Sequence, residues 1–372
     1  MRHFKINSLC ICILLFVVAC VPSIIYIDTI GTMPGEEPGY EKGVSACYAT
    51  VSDGTMLLAG GCNFPETPAA DGGAKRYYKG IYSASCDGSA LQWKKVGELP
   101  EASAYGVSLQ YGASLVIAGG MNENGASDKV YIVEAASDGC NIRCLPSLPC
   151  TVDNASGAVC GNYIYVVGGN ADGRPSSRAF ALNMDDVAAG WCELPSFPGR
   201  GRVQPVCVAA AGALYLWGGF TPAGDDGDAV VHCDGAKCNL ASGEWSLLPT
   251  IVDENNQPLT LSGGAAVATS DGRIFAAGGV NREIFEDAIS GKYNCVPKNE
   301  YMRRPIGWYR FNDRLLGFDA TEEKWEILTR KAAYARAGAV LATDGENLYY
   351  VGGELKPGIR TPEIKEFSFL IK

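Results

Sequence analysis

"GAVLATDGENLYYVGG", residues 338–353, contains two short apolar stretches separated by Asp344-Gly345, and it ends in Gly352-Gly353. An Asp-Gly step supplies the positive φ that a tight turn between antiparallel strands needs. The stretch therefore predicts a β-hairpin whose first strand carries small residues. A second stretch, "GAAVATSDGRIFAAGG" at residues 264–279, has the same order of strand, turn, strand and Gly-Gly.

Strands that end in Gly-Gly recur along the whole chain. The six glycine pairs are Gly60-Gly61, Gly119-Gly120, Gly168-Gly169, Gly218-Gly219, Gly278-Gly279 and Gly352-Gly353. Most are followed by a strand with Tyr or Phe and then by a Trp strand, as in "LQWKKVGELP" and "GEWSLLP". Four strands repeated at roughly 50 residues are typical of a kelch-type β-propeller blade. We therefore expect an all-β fold, a six-bladed kelch-type β-propeller over residues 21–372 with the small-residue strands innermost.

The last repeat and two long intervals depart from this pattern. After Gly353 one clear strand, "EIKEFSFLI", precedes the end of the sequence, so we expect the N-terminal "SIIYIDTIGTMP" to complete the C-terminal blade and close the ring. Extra stretches occur at residues 63–80 and 281–312. Long loops on a rigid scaffold often carry functional groups, so these two inserts are candidates for a site.

The charge of the chain restricts its partners. Its 372 residues are 47% hydrophobic and 19% charged, with a formal net charge of −10. This balance gives no basic surface for phosphates, so nucleic acid is not an expected partner. An anionic small ligand would have to be held by a few local arginines rather than by long-range attraction.

The N-terminus has the features of an export signal. Arg2 and Lys5 precede an apolar run from Leu9 to Val18, which is long enough for a signal-peptide core and too short for a membrane span. The ending Val17-Val18-Ala19-Cys20 resembles the bacterial lipobox, which implies that residues 1–19 are removed and that Cys20 is lipidated. An ordinary signal peptide is the alternative. The expected location is the bacterial periplasm or the outer membrane, with a lipid anchor as the only membrane contact.

The cysteine and histidine counts limit the possible chemistry. Fifteen cysteines leave 12 after Cys20, as buried thiols or as the disulfides that export permits. The two histidines are too few for a Ser-His-Asp triad, a multi-histidine metal centre or the copper site of galactose-oxidase-like propellers. We expect no metal and no cofactor. Carboxylates, arginines, amides and tyrosines remain as candidates for a site.

Some of these residues stand where a propeller exposes them at a channel mouth. Glu354 and Arg360 follow the last Gly-Gly strand, and Asn281 follows an earlier one. Arg202 and Tyr105 stand at the entrance to innermost strands. For each residue taken singly, a solvated turn is the alternative interpretation.

Several stretches resemble the sialic acid mutarotases, also called N-acetylneuraminate epimerases. They are "GGELKPGIRT", "GGVNREIFEDA", "FNDRLLGFDATEEKW" and "GELPEASAYGVSL". The resemblance covers most of the mature chain and implies an exported six-bladed kelch propeller that interconverts the α and β anomers of N-acetylneuraminate. The GGELKPGIR blade is last here and lies mid-chain in commonly described members, which implies a cyclically permuted branch of the family.

The resemblance also implies site residues. Glu354 and Arg360 match the catalytic pair proposed for the family, and Arg202, Gln204 and Asn281 match positions that bind substrate. We include Tyr105 among the substrate-binding residues. The family has an arginine shortly before the AYGVS strand, where this chain has Ala102.

The implied chemistry needs few groups. Mutarotation requires one group that takes the proton of the anomeric hydroxyl and another that protonates the ring oxygen as the ring opens. Glu354 is the candidate base, and the planar fork of Arg360 suits the sugar carboxylate. Two alternatives stay open: a non-catalytic propeller that binds glycans or proteins, and a mutarotase for another acidic sugar. The sequence leaves the oligomeric state open.

Overall fold

The structure is a computed structural model that describes residues 23–87, 90–225, 227–269 and 271–370. The predicted signal peptide, residues 1–19, and the predicted lipid attachment at Cys20 lie outside these residues. In the described part of the chain, most regular structure is antiparallel β-sheet, and no helix is long and apolar enough to cross a membrane. The prediction of an all-β fold is confirmed.

Six antiparallel sheets contain four main strands each, and they follow one another along the chain. In order of pairing, the first sheet contains Tyr48–Ser52, Thr55–Ala59, Gly80–Ser85 and Lys94–Glu98. The second contains Val107–Tyr111, Ser114–Ala118, Val130–Ala136 and Gly139–Leu145. The third contains Ser156–Cys160, Tyr163–Val167, Ala179–Asn183 and Trp191–Leu194.

The other three sheets repeat this order. The fourth contains Val203–Ala210, Ala213–Thr221, Gly235–Asn239 and Trp245–Leu248, with the short strand Val230–Val231 added beside its second strand. The fifth contains Ala265–Ala268, Ile274–Ala277, Arg314–Asp319 and Lys324–Arg330. The sixth contains Val340–Thr343, Asn347–Val351, Glu363–Leu370 and Ser23–Thr32.

Short elements fill the connections between the main strands, most of them after the second strands. Among them are the paired strands Cys62–Asn63 with Arg76–Tyr77, Met121–Asn122 with Gly125–Ala126, and Glu354–Lys356 with Ile359–Arg360, and the trio Val152–Asp153, Asn170–Ala171 and Arg174–Pro175. The helices are α1 (Arg282–Ile289) and α2 (Lys298–Tyr301). The 3-10 turns are Tyr40–Lys42, Ala69–Asp71, Val187–Ala189, Ile306–Tyr309 and Ala332–Tyr334.

The Gly-Gly pairs connect neighbouring sheets. In the first pair both residues have positive φ, 60° at Gly60 and 97° at Gly61, and the Gly61 N–H donates to the Ser103 carbonyl before the second sheet at 2.8 Å. A Cβ atom on Gly60 would lie 2.5 Å from the same carbonyl oxygen, so no side chain fits there. The backbone approach between sheets therefore requires the glycines that the sequence repeats.

The first strands of the six sheets lie side by side and enclose a channel. Each of them contacts the first strands of the two neighbouring sheets. The channel contains a cavity of about 170 Å³ and one of about 520 Å³, and each is lined by residues from all six first strands or the turns before them. The small residues that the sequence places on these strands leave this space open.

Six residues close a ring of backbone hydrogen bonds at one end of the channel. We call Ala46, Tyr105, Asn154, Gln204, Gly263 and Gly338 the channel ring. Each ring residue donates its N–H to the carbonyl of the ring residue before it. The distances are 2.7 Å from Ala46 to Gly338, 3.1 Å from Tyr105 to Ala46, 2.7 Å from Asn154 to Tyr105, 2.8 Å from Gln204 to Asn154, 3.1 Å from Gly263 to Gln204 and 2.8 Å from Gly338 to Gly263. All six have φ between 52° and 67°. Each sheet thus contributes one residue, in the same conformation, to one cycle.

The two ends of the described chain meet in the sixth sheet. Ser23–Thr32 pairs antiparallel with Glu363–Leu370 along its whole length, with Thr32 opposite Glu363. This pairing is the one that the sequence predicts for the N-terminal segment. The apolar core lies between neighbouring sheets, as where Trp217 packs against Phe318 and Trp325 with ring centres 4.7 and 4.8 Å apart. The twelve cysteines of the described residues are all unpaired.

Candidate active site

The hairpin formed by Glu354–Lys356 and Ile359–Arg360 lies at the ring end of the channel. Glu354 donates its N–H to the Ala337 carbonyl at 2.6 Å and accepts the Ala337 N–H at 2.9 Å. Ala337 precedes Gly338 of the channel ring. Gly358 has a φ of 83° and lets the chain reverse, so that Glu354 and Arg360 face each other across the hairpin.

Glu354 and Arg360 form a tight ion pair. Nη2 of Arg360 lies 2.6 Å from Oε1 of Glu354, and the two side chains are 3% and 24% exposed, respectively. The Arg360 Nε donates to the Ser45 hydroxyl at 3.1 Å, and the guanidinium carbon lies 5.0 Å from the centre of the Phe64 ring. The buried Nη1 of Arg360 has no hydrogen-bond partner among the described residues. The guanidinium is thus fixed on two sides and keeps an open donor.

Burial and charge act on the Glu354 carboxyl in opposite directions. Burial raises its pKa above the ordinary value of 4.5, because desolvation disfavours the charged form. The positive charges of Arg360 and Lys75 and a backbone hydrogen bond from Gly358 oppose this shift without cancelling it. For Arg360, burial disfavours the cation, yet Glu354 raises the guanidinium pKa overall. The carboxylate is therefore both paired and more basic than an exposed one.

Tyr105 of the channel ring lies beside this pair. Burial raises the pKa of its hydroxyl, and the nearby Cys62 thiol and Glu354 carboxylate raise it further, against the opposing effect of Arg360. Nζ of Lys75 donates to the Tyr105 hydroxyl oxygen at 2.8 Å. Tyr105 thus keeps its proton at neutral pH and can donate a hydrogen bond into the site.

Amide side chains occupy two other positions at this end of the channel. The Gln204 Nε2 donates to Oδ1 of Asn154 at 2.9 Å, and both residues belong to the channel ring. Asn281 caps α1, since its Oδ1 accepts the Ile284 N–H at 3.1 Å. Gln204, Asn281 and Glu354 line one cavity of about 310 Å³.

The rest of this cavity has an apolar and aromatic wall. The lining side chains on that side include Phe220, Val280, Ile284, Phe285, Ile289, Tyr293, Tyr301, Tyr309 and Phe311, most of them from the insert at residues 281–312. A mostly apolar pocket with a few convergent polar groups is the usual form of a small-molecule site. The cavity can therefore hold a small polar ligand between this wall and Glu354.

Both long inserts meet over the hairpin. Nζ of Lys356 donates to the Arg304 carbonyl at 2.7 Å, and Nη2 of Arg303 lies 2.8 Å from Oδ1 of Asp71 in the other insert. The expectation that the inserts carry a site is consistent with this placement.

Arg202 is placed differently from the other sequence-predicted residues. Its side chain is only 2% exposed, its Nη1 donates to the Gly218 and Asp234 carbonyls at 3.2 and 3.1 Å, and its Nη2 lies 3.1 Å from the Asp234 carboxylate. It does not line the 310 Å³ cavity. Arg336 makes the same kind of contacts, to the Gly352 carbonyl and to Glu363. Substrate binding by Arg202 stays a prediction, and its contacts are those of a residue that braces a sheet.

Ser103, next to Ala102, occupies the position that corresponds to Arg202 in another sheet. The Ser103 carbonyl accepts the Gly61 N–H as the Arg202 carbonyl accepts the Gly169 N–H, so Ser103 corresponds to the bracing arginine. Its hydroxyl instead lies 2.7 Å from that of Tyr48. The arginine that the resemblance expects near Ala102 thus falls beside a bracing position rather than in the cavity.

Sequence reasoning missed several residues near the pair, among them Lys75, Ser45, Phe64, Asn154 and Tyr301. Lys75 and Phe64 lie in the first insert. Its sequence marked the insert as a candidate for a site but did not indicate where it lies relative to the other strands. Asn154 precedes a small-residue strand as Tyr105 does, so its position could have been found. Among the described residues, no group of three or more His, Cys, Asp or Glu side chains is arranged to hold a metal ion.

Together these features define a class: an all-β protein of repeated four-stranded sheets with a carboxylate paired to a buried guanidinium at the end of its channel. A model of the N-acetylneuraminate epimerase family matches residues 24–142 and 145–371. The chain belongs to this family.

Curated relatives support the assignment. The chain is 30% identical over 242 residues to the N-acetylneuraminate epimerase of Haemophilus influenzae (strain PittEE), covering 62% of this chain and 61% of that protein. It is 30% identical over 233 residues to the protein of the same name from Brucella melitensis biotype 1, covering 59% and 58%. It is 29% identical over 228 residues to that of Salmonella arizonae, covering 59% and 57%. The chain thus spans about three fifths of the length of the curated relatives it matches.

Proposed function

We propose that this protein interconverts the α and β anomers of N-acetylneuraminate by acid/base-assisted ring opening. The observation that carries the proposal is the ion pair of buried Arg360 with half-buried Glu354, 2.6 Å apart beside a cavity at the end of the channel. Membership of the epimerase family supports the choice of substrate.

In this mechanism Glu354 accepts the proton of the anomeric hydroxyl. The electrons of that O–H bond form the ketone carbonyl, the bond from the anomeric carbon to the ring oxygen breaks, and a water molecule relays the proton from the Glu354 carboxyl to the ring oxygen, so that no net proton is gained or lost. Rotation about the bond next to the ketone and closure on its other face give the second anomer. The raised pKa of Glu354 suits a base near neutral pH. Arg360 and the Tyr105 hydroxyl, which lie beside Glu354, bind the sugar together with Gln204 and Asn281 of the cavity lining.

Replacing Glu354 by Gln tests the proposal, because the amide keeps the shape of the side chain and removes the base. We expect NMR-monitored anomer exchange, after a sialidase releases the α anomer, to slow by about 10²- to 10⁴-fold relative to the catalysed rate. Binding of N-acetylneuraminate should persist.

Glu366→Gln is the matched control. Glu366 lies in the strand Glu363–Leu370 that follows the Glu354 hairpin, and it also has a raised pKa, caused by burial and by Asp344 and Asp28. It does not line the 310 Å³ cavity, so its replacement should leave exchange unchanged. If the wild-type protein binds the sugar but leaves exchange at the spontaneous rate, it is a glycan-binding protein instead.

We also propose that the six sheets are the blades of a kelch-type β-propeller, closed by the N-terminal strand in the last blade. The cycle of hydrogen bonds in the channel ring and the pairing of Ser23–Thr32 with Glu363–Leu370 support this proposal. A cyclically permuted order of blades would account for relatives that align over about three fifths of their length while the family model spans nearly the whole chain.

Export and lipid anchoring at Cys20 are a separate proposal that rests on the sequence of residues 1–20. They would place the site in the periplasm or at the outer membrane. There an acidic sugar released outside the cell meets the protein before uptake.

A further inference from the structure

Lys75 lies in the first insert and reaches the candidate active site. Its Nζ donates to the Tyr105 hydroxyl oxygen at 2.8 Å and lies 4.7 Å from the centre of the Tyr105 ring. The rings of Phe64 and Tyr77 are each 5.9 Å from the same atom. Three aromatic rings thus surround the ammonium group, and cation–π attraction favours its position there.

The ammonium group of Lys75 has no carboxylate partner within 4.0 Å among the described residues. This is unusual within its own segment, since Lys79 lies 2.6 Å from Glu98. A lysine ammonium has three N–H donors, and the Tyr105 hydroxyl uses one of them. At least two donors of Lys75 therefore remain for water or a ligand.

A second cation with an open donor lies next to it. Arg360 is nearly fully buried, its Nη1 has no partner among the described residues, and it lies over the same Phe64 ring as Lys75. Both cations also act on the Glu354 carboxyl, whose pKa each of them lowers. Two positive charges with unused donors thus converge on one place in a protein of net charge −10.

We propose that Lys75 binds the carboxylate of the sugar, together with Arg360, and so selects acidic substrates. The inference rests on the proposed function and adds a specificity-determining residue to it. The exposed Lys75 can follow the ligand on its flexible stem, whereas Arg360 is fixed by Glu354 and Ser45. A bound carboxylate also neutralises the charges that hold down the basicity of Glu354, so substrate binding itself would strengthen the base.

The test compares an acid with its neutral analogue. Lys75→Met keeps an apolar stem over the aromatic rings and removes the charge, and Lys79→Met is the control in the same segment. The ligands are N-acetylneuraminate and its carboxamide, which has the same ring and no negative charge. Binding is measured by titration calorimetry, and anomer exchange is measured by NMR on the same samples.

We expect Lys75→Met to weaken binding of N-acetylneuraminate by about 10-fold or more, as for loss of a hydrogen bond between charged groups. Binding of the carboxamide should stay unchanged, and Lys79→Met should alter neither. An equal loss for acid and carboxamide would assign Lys75 a structural role, and no loss for either would mean that it is only solvated. Both results overturn the inference.

The two measurements separate this inference from the proposed function. If wild-type protein binds the acid in a Lys75-dependent way but does not accelerate exchange, the inference holds and the enzyme proposal fails. If exchange is accelerated equally in wild type and Lys75→Met at limiting substrate, the enzyme proposal holds and the inference fails. A wild-type protein that neither binds nor accelerates overturns both.

Discussion

In the proposed mechanism Glu354 acts as a base while it is paired with a guanidinium, and its surroundings make the two compatible. Contact with Arg360 at 2.6 Å favours the ionised carboxylate, and burial disfavours it. Because burial is the larger influence, the pKa stays above 4.5. The carboxylate is therefore held by a cation and is still a stronger proton acceptor than an exposed glutamate.

The pH dependence of exchange should report this balance. The groups that act electrostatically on Glu354 or respond to it are Arg360, Lys75, Tyr105 and Tyr301. Since the base must be ionised, kcat/KM should fall as pH falls through the Glu354 pKa, which lies above 4.5. Lys75 lowers this pKa, so Lys75→Met should move the acid limb of the profile to higher pH.

Lys79→Met serves as the control in this experiment too, because its partner Glu98 lies outside the cavity. The measurement is the profile of kcat/KM against pH for wild type, Lys75→Met and Lys79→Met. An acid limb that stays in place in Lys75→Met, or moves to lower pH, would contradict a lowering of the Glu354 pKa by Lys75.

At the residue scale the sequence predicted only part of the site. Glu354 and Arg360 could be predicted because one short hairpin contains both. Lys75 could not, since its approach to Tyr105 depends on how an 18-residue insert folds back over the first sheet. Arg202 shows the converse difficulty: a buried arginine that braces a sheet and one that faces a ligand look alike in a sequence.

At the scale of elements, the channel ring joins the scaffold to the site. Tyr105 and Gln204 of the ring lie at the candidate site. The neighbours of two other ring members hold the ion pair, since Ser45 accepts a hydrogen bond from Arg360 and Ala337 exchanges backbone hydrogen bonds with Glu354. The backbone of the ring therefore sets the relative positions of groups that come from different sheets.

The left-handed conformation of the ring gives a stability prediction at Gly338, whose φ is 62°. Gly338→Val should lower the free energy of unfolding by about 1–2 kcal/mol, because a residue with a Cβ pays that much in the left-handed region and a β-branched one fits it poorly. Gly338→Asn should cost less, since Asn154 occupies the equivalent ring position at φ 52°.

Space alone does not decide between these variants. A Cβ atom on Gly338 would come no closer than 3.5 Å to Ser45, an ordinary contact. Denaturant unfolding of wild type and both variants measures the difference. Equal destabilisation by Val and Asn would indicate that the cost comes from filling the ring end of the channel rather than from backbone conformation.

The sequence predicted the type of a secondary-structure element where the pattern lies within a few consecutive residues. The hairpin at Asn347–Val351 and its partner strand could be predicted from alternation and Asp-Gly alone. The insert at residues 281–312 was expected as a loop region, and it contains α1 and α2 because Asn281 caps the first helix and Pro297 precedes the second. Its packing against Glu354 depends on tertiary contacts that no local pattern contains.

At the scale of the whole molecule, the repeat determines the order of sheets and leaves the position of the chain ends free. Each sheet contacts the next through its first strand, and five of the six Gly-Gly pairs donate an N–H to a carbonyl before the next sheet, so the neighbour relationships are largely of the same kind. The sequence could therefore predict six units and their order. The pairing of the two ends was predictable for a physical reason as well, because an unpaired edge strand invites aggregation.

This equivalence predicts that the chain tolerates new ends. Ser23 lies opposite Leu370 in the sixth sheet, so a short Gly/Ser linker can join the present ends. New ends between Gly112 and Ala113 would fall in an exposed turn of the second sheet, and Gly112 lines the channel cavity that does not include the ring. We expect the permuted protein, joined from residue 23 to 370, to keep its melting temperature within a few degrees and its exchange activity.

Deletion of residues 23–32 is the matched comparison, because it leaves every other strand in its present order and removes only the outer partner of Glu363–Leu370. That protein should melt at lower temperature and aggregate through the uncovered strand, as size-exclusion chromatography and thermal unfolding would show. The permuted protein tests whether stability depends on where the chain is covalently continuous, and the deletion tests whether it depends on pairing of the outer strand. If the permuted protein behaves like the deletion, the connection across residues 112–113 itself stabilises the fold, and the sheets are not equivalent units of a closed ring.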